Sequence, residues 1–140
     1  MITIDHILTL PCAPEIIFDF LANPLNEPKW NSDLISIRQT TPGQPERGSR
    51  FTSEYKQIGD LDVTLTRLDR PKHIAYSGSN AKVSLFAEFR FRPTPNGTSV
   101  ALRFDIEPKG ILSLASGMIK EAFTKGLPAK ETALRRALGV

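Results

Sequence analysis

The stretch KVSLFAEFRFRPTPNGTSVALRFDI, residues 82–106, decides the fold. Val83, Leu85, Ala87, Phe89 and Phe91 alternate with Lys82, Ser84, Glu88 and Arg90. After Pro95-Asn96-Gly97 the alternation resumes, with Val100, Leu102, Phe104 and Ile106 set against Ser99, Arg103 and Asp105. Successive side chains of a strand point to opposite faces, so this period of two predicts two antiparallel strands joined by a tight turn, one face wet and the other covered. The cover must be helical, because the only long pattern left is residues 111–138. There Ile111, Leu114, Ala115, Met118, Ala122, Leu127, Leu134 and Leu138 fall near one stripe. Gly126 and Pro128 predict a kink or a break in that helix, since proline removes a backbone hydrogen bond.

Upstream, turn chemistry at Pro42-Gly43, Arg47-Gly48, Gly59-Asp60, Arg70-Pro71 and Ser79-Asn80 separates further strands. The six strands are placed near 33–41, 49–58, 61–69, 73–79, 82–92 and 98–107. Their short connections imply an antiparallel meander rather than parallel βαβ units. A strand precedes them, with Ile2, Ile4, Leu8 and Leu10 on one side and Thr3, Asp5 and Thr9 on the other, ending at Pro11. Ala13 to Ala22 then switches to helical period, with Pro14 and Glu15 suited to a first turn. Asn23-Pro24 closes that helix, and Asn26 to Trp30 reads as one more short turn. The order is strand, helix, six strands, long helix: an α+β chain whose residues 1–140 are expected to form one domain, a seven-stranded curved antiparallel sheet wrapped around the C-terminal helix.

With 140 residues, 40% hydrophobic and 24% charged, the composition is that of a soluble globule and excludes a collagen, a coiled coil or a disordered tail. For 15.5 kDa, area scalings give roughly 7,200 Å² exposed when folded against about 22,500 Å² unfolded, enough burial for one core, even a hollow one. The net charge of +3 comes from 18 basic and 15 acidic residues mixed along the chain, and nucleic-acid binding would require them clustered. Lys130, Arg135 and Arg136 read as the solvated side of the long helix. One cysteine, Cys12, excludes an internal disulfide and a cysteine-based metal site. The N-terminus MITIDHILTLP lacks a basic start, and no window nears eighteen apolar residues. The expected location is the cytoplasm, with no integral membrane association.

Particular residues add a resemblance. Leu10-Pro11-Cys12-Ala13-Pro14-Glu15-Ile16-Ile17-Phe18-Asp19-Phe20-Leu21-Ala22-Asn23-Pro24, then Pro28-Lys29-Trp30-Asn31, resembles the strand end, "APxxVFdfLadP" helix and tryptophan of the START-like, or SRPBCC, superfamily, and most of all its polyketide cyclase/dehydrase branch. Gly48-Ser49 with Phe51, Asp69-Arg70-Pro71, and Gly97-Thr98 are similar to later landmarks, so the likeness spans the chain. It implies a helix-grip fold enclosing an apolar cavity for lipids, polyketides, hormones or other small hydrophobic molecules. Only some members are catalysts, and function belongs to the site rather than the fold.

The inward face is expected to carry Phe51, Ser53, Tyr55 and Gln57, then Val63 and Leu65, Ile74 and Tyr76, and Phe89, Phe91, Leu102 and Phe104. The candidate ligand-binding residues are Trp30, Phe51, Ser53, Tyr55, Tyr76, Phe89, Phe91, Leu102 and Met118, the last because a thioether adapts to varied shapes. Two readings of Tyr55 and Tyr76 stay open: hydroxyls aimed at an oxygenated ligand, or rings in a filled core with hydroxyls satisfied by the protein. Trp30 either caps the mouth or packs beneath the first loop. Phe123 reads as core.

No catalytic residue can be named. His73 is placed on the wet face with Ala75 and Ser77, and His6 on the apolar side of the first strand. Arg67 shares the inward phase of Val63 and Leu65, but Leu68 breaks that phase as a bulge would, which turns Arg67 to solvent. Asp19, Asp33, Asp62 and Glu88 read as surface charges. No metal site, nucleotide-binding glycine pattern or cofactor is indicated, and Cys12 reads as structural.

Three functions follow. The first is a carrier of a small hydrophobic molecule; the second, an enzyme of the cyclase or dehydratase type using the same cavity; the third, a protein-interaction module, to which Phe86 on the outer face points. A monomer and a homodimer are both compatible. An enzyme calls for an inward ionisable residue with a displaced pKa, a carrier for an apolar pocket with hydroxyls only, and an adaptor for a filled core.

Overall fold

A computed structural model describes all of residues 1–140. Strand β1 (Ile2–Leu10) leads to helix α1 (Pro14–Leu21) and a 3-10 turn over Pro24–Lys29. The meander follows: β2 (Leu34–Gln39), β3 (Arg50–Tyr55), β4 (Gly59–Asp69), β5 (His73–Ser79), β6 (Val83–Thr94) and β7 (Gly97–Pro108). A second 3-10 turn, Gly110–Ala115, runs into helix α2 (Ser116–Leu138). All seven strands form one sheet in the order β1-β7-β6-β5-β4-β3-β2, every pair antiparallel. Sequential strands are neighbours throughout β2–β7, as short loops demand, and β1 joins the far edge beside β7.

The β6–β7 ladder runs from Val83↔Pro108 to Thr94↔Gly97, as the alternation in residues 82–106 requires. The hairpin end is crossed by the exit from β1. A Cβ added at Gly97 would lie 2.0 Å from the Leu10 carbonyl oxygen, so only glycine lets the two segments meet. Beside it, the Thr98 hydroxyl donates to the Cys12 carbonyl at 2.7 Å. These two residues pin the segment leading into α1 against the start of β7.

Every inward residue of the diagnostic hairpin except Leu85 is buried, together with Ile2, Ile4, Leu8 and Leu10 of β1. Helix α1 closes one end with Ile17, Phe18 and Leu21, Phe18 meeting Phe91 edge-on at 5.7 Å between ring centres. The β4 bulge lies where Leu68 broke the phase, between Leu65 and Arg67, and Arg67 is exposed beside Asp69.

Three expectations need correction. The stripe counted from Ile111 is out of phase: Ile111 and Leu114 are 87% exposed and Met118 75%. Residues 110–115 wind as a 3-10 turn, which advances three residues per turn instead of 3.6 and rotates the sheet-facing side away from Met118. Leu127 and Leu134 are the buried residues of α2. Of the kink or break expected from Gly126 and Pro128, the break is absent, because α2 runs unbroken for 23 residues and one missing N–H leaves the rest of the ladder intact. His73 is buried rather than wet, its Nε2 2.8 Å from Glu88 Oε2. Glu88 is correspondingly covered, with only 14% of its side chain exposed. Two polar side chains on adjacent strands satisfy each other there, which reading one strand at a time cannot reveal.

The crossing at Gly97 yields a prediction. Gly97→Ala should lower stability by about 3 kcal/mol or more, since backbone on both sides of the clash must move, whereas Gly110→Ala, with open space around its Cβ, should cost about 1 kcal/mol of positive-φ strain. Chemical denaturation of the two variants measures the difference; equal losses would contradict the crossing.

Candidate functional site

The concave sheet and α2 do not close on each other. Between them lies a cavity of about 270 Å³. Its walls are mainly apolar: Val63, Val83, Leu85 and Ile106 from the strands, Ile119 and Phe123 from the helix. A chain of rings forms its floor. Trp30 meets Phe89 edge-on at 6.3 Å, Phe89 meets Tyr76 at 6.2 Å and Phe104 at 6.3 Å, and Phe104 lies 4.8 Å from Phe123. Such edge-to-face contacts favour rings over a loosely ordered aliphatic lining.

One end is polar, and the 3-10 turn after α1 builds it. The Asn23 side chain accepts from the Leu25 N–H at 3.1 Å, and Asn26 Nδ2 donates to the Phe20 carbonyl at 2.9 Å, fastening the turn to α1. The Glu27 carbonyl then accepts from the Trp30 and Asn31 N–H groups at 3.0 and 2.8 Å. Held this way, Glu27 joins the cavity lining. Its Oε2 accepts the Tyr55 hydroxyl at 2.9 Å and Asn31 Nδ2 at 2.8 Å. Opposite, Lys130 Nζ from α2 donates to Asp33 Oδ2 at 2.9 Å and stands 5.4 Å from the centre of the Phe123 ring.

Burial pushes the Glu27 carboxyl above its ordinary value, against the pull of Asn31, Tyr55 and the Lys130 charge. Burial, followed by the nearby Glu27 charge, also raises the Tyr55 and Tyr76 hydroxyls. Both phenols are neutral donors: Tyr55 donates to Glu27, and Tyr76 to the Leu21 carbonyl at 2.7 Å.

Of the residues singled out in sequence, Trp30, Ser53, Tyr55, Tyr76, Phe89 and Gln57 line this cavity. Phe51 and Phe91 are buried in the adjoining core, 1% and 5% exposed. Leu102 borders a separate void of about 20 Å³, room for one water at most. His6 borders it too, 3.5 Å from Glu131. Met118 faces solvent. For Cys12, burial raises the thiol and no base stands beside it.

Glu27 and Asn31 were not anticipated, whereas Lys130, read as part of the solvated side of the long helix, has only 11% of its side chain exposed and meets Asp33, read as a surface charge, at the cavity. The cavity-side position of Lys130 could have been anticipated: Ile119, Phe123, Gly126 and Lys130 are spaced i, i+4, i+7, i+11, one face of a helix. Nothing in the composition of the proline-bounded turn signals that Glu27 points inward.

Residues 1–138 match a family model described as polyketide cyclase/dehydrase and lipid transport. No curated protein matches the chain by sequence. Among solved structures it is similar to a START superfamily protein from Mycobacterium smegmatis, at 15% identity and TM-score 0.80, covering 98% of this chain and 97% of that one. It is also similar to the protein XoxI from Bacillus cereus, at 15% identity and TM-score 0.75, covering 99% and 96%. A hypothetical protein from Helicobacter pylori superposes at 10% identity and TM-score 0.79, covering 95% and 85%. At these identities the likeness is one of fold.

A carboxyl whose pKa is higher folded than unfolded stabilises the protein at low pH, and that contribution is lost as pH rises through the folded value. The stability of the native protein relative to Glu27→Gln should therefore fall as pH rises above the ordinary carboxyl range. Denaturant titrations of both proteins check this; a difference independent of pH would contradict the burial of the charge.

Proposed function

Because the chain belongs to the polyketide cyclase/dehydrase and lipid transport family, we propose that it holds one small, mostly apolar molecule between the sheet and α2. The observation that carries this reading is the unfilled, ring-lined volume of about 270 Å³. An engineered cavity of about 150 Å³ takes one benzene, so by proportion this space suits roughly ten or eleven non-hydrogen atoms. That is the size of a bicyclic aromatic or a ten-carbon chain, and smaller than a whole phospholipid. The reading places the protein in the cytoplasm, supported by a fold held together by packing, with Cys12 free.

Glu27 favours a second reading, an enzyme of the cyclase or dehydratase type. A cavity carboxyl whose pKa is displaced upward is suited to moving a proton to or from a bound carbonyl compound, and the neutral Tyr55 beside it could share in that transfer. The open interior counts against a protein-interaction module, although Phe86 on the outer face of β6 is only partly covered.

The test is ligand-induced stabilisation. At one hundred times its Kd a ligand of the folded state adds about 2.7 kcal/mol, on the order of 8 °C in Tm for a chain of this length. A naphthalene or ten-carbon probe should produce such a rise, with a change in the fluorescence of Trp30, the single tryptophan. Ala87→Phe, which projects a ring into the cavity from β6, should abolish the response while the protein remains folded. An unaltered response in that variant would place the binding elsewhere.

A further inference from the structure

We propose that the polar end built on Glu27 selects, among small apolar molecules, those that carry a hydrogen-bond donor, an amine or a hydroxyl, and rejects those that end in a carboxylate. This rests on the cavity being the ligand site. Three observations carry it.

The first is the unequal use of the two Glu27 oxygens. Oε2 accepts both protein donors, Tyr55 and Asn31, whereas Oε1 accepts none. Every fully buried side-chain nitrogen and oxygen in the chain has a partner, so Oε1 is among the accessible atoms, on a residue that lines the cavity. It is an acceptor without a protein partner on a residue of the cavity lining.

The second is that the two phenol donors of the lining are already committed. The Tyr55 hydroxyl is taken by Glu27 and the Tyr76 hydroxyl by the Leu21 carbonyl, so neither proton is free for a ligand that only accepts. A ligand group that donates finds partners here; one that only accepts finds fewer.

The third is charge. Around the chamber's polar end stand Glu27 from the turn, Asp33 before β2 and Lys130 from α2, with Tyr55 and Tyr76 neutral. Lys130 is spent on Asp33, to which it is bonded with 11% of its side chain exposed. With Glu27 deprotonated, the three groups sum to one negative charge. His6 and Glu131 lie beyond it, around the smaller void. An ammonium would neutralise the excess; a carboxylate would double it where water screens weakly. Burial penalises the Glu27 charge, and a donor from the ligand would relieve that penalty.

The experiment titrates the purified full chain with decylamine, 1-decanol, decanoate and naphthalene, the two ionic probes below their micellar concentrations and the two neutral ones below their solubility limits, following Trp30 fluorescence. Decylamine and decanol should bind, and decanoate should bind at least about tenfold more weakly, as charge-assisted pairing predicts. In Glu27→Gln, whose amide can donate, decylamine should lose about tenfold and decanoate should gain. Circular dichroism checks folding, and Glu27→Met serves as a second variant that should lose the amine preference without gaining the carboxylate. Decanoate binding native protein as tightly as decylamine, or an unchanged ratio in a folded variant, would overturn the selection while leaving the cavity reading intact if naphthalene binds. Failure of all four probes would overturn both.

Discussion

The molecule depends on how α2 meets the sheet. Leu127 and Leu134 are the helix residues driven fully into the core, and they hold the helix down. Ala122, Gly126 and Ala129, which also border the cavity, are small, and Ala122 and Ala129 stand open to solvent, so this side of the helix leaves the hollow reachable. Contact at a few points and small residues between them produce a roof that closes without filling.

Placement of the polar groups follows from the same arrangement. The strands supply phenols and rings in alternation, so Tyr55 and Tyr76 arrive facing inward beside Phe89. The 3-10 turn after α1 supplies the Glu27 carboxylate, the loop before β2 that of Asp33, and α2 the Lys130 amine. Four separate chain segments therefore converge on one end of the chamber, and the opposite walls stay apolar. Such a division orients a bound molecule, because its polar atom has one end at which to be satisfied. It also concentrates the ionisable chemistry where a ligand would touch it.

Much of this architecture was legible in the sequence. Period-two alternation from Val83 to Ile106, with turn residues between, fixes the inward face and the antiparallel meander, and Leu68 betrays the β4 bulge. The resemblance around Pro14 to Trp30 supplied the cavity that alternation alone cannot demonstrate. The failures share a cause, which is dependence on another segment. Met118 was misplaced because the tighter winding of residues 110–115 resets the helix phase. His73 was misplaced because its partner, Glu88, lies on the next strand. Glu27 was missed because its direction depends on side-chain anchors at Asn23 and Asn26, and a charged residue in a loop is ordinarily solvated. Phe51 and Phe91 point inward as expected, yet inward positions divide between solid core and hollow, and only the three-dimensional course of α2 decides which.

A crystal of the protein held under xenon pressure tests the hollow directly, since apolar cavities that exclude water admit xenon. The account predicts a xenon site among Phe89, Phe104 and Phe123, with the surrounding side chains unmoved. An interior without xenon, closed by α2 settling onto the rings, would contradict it.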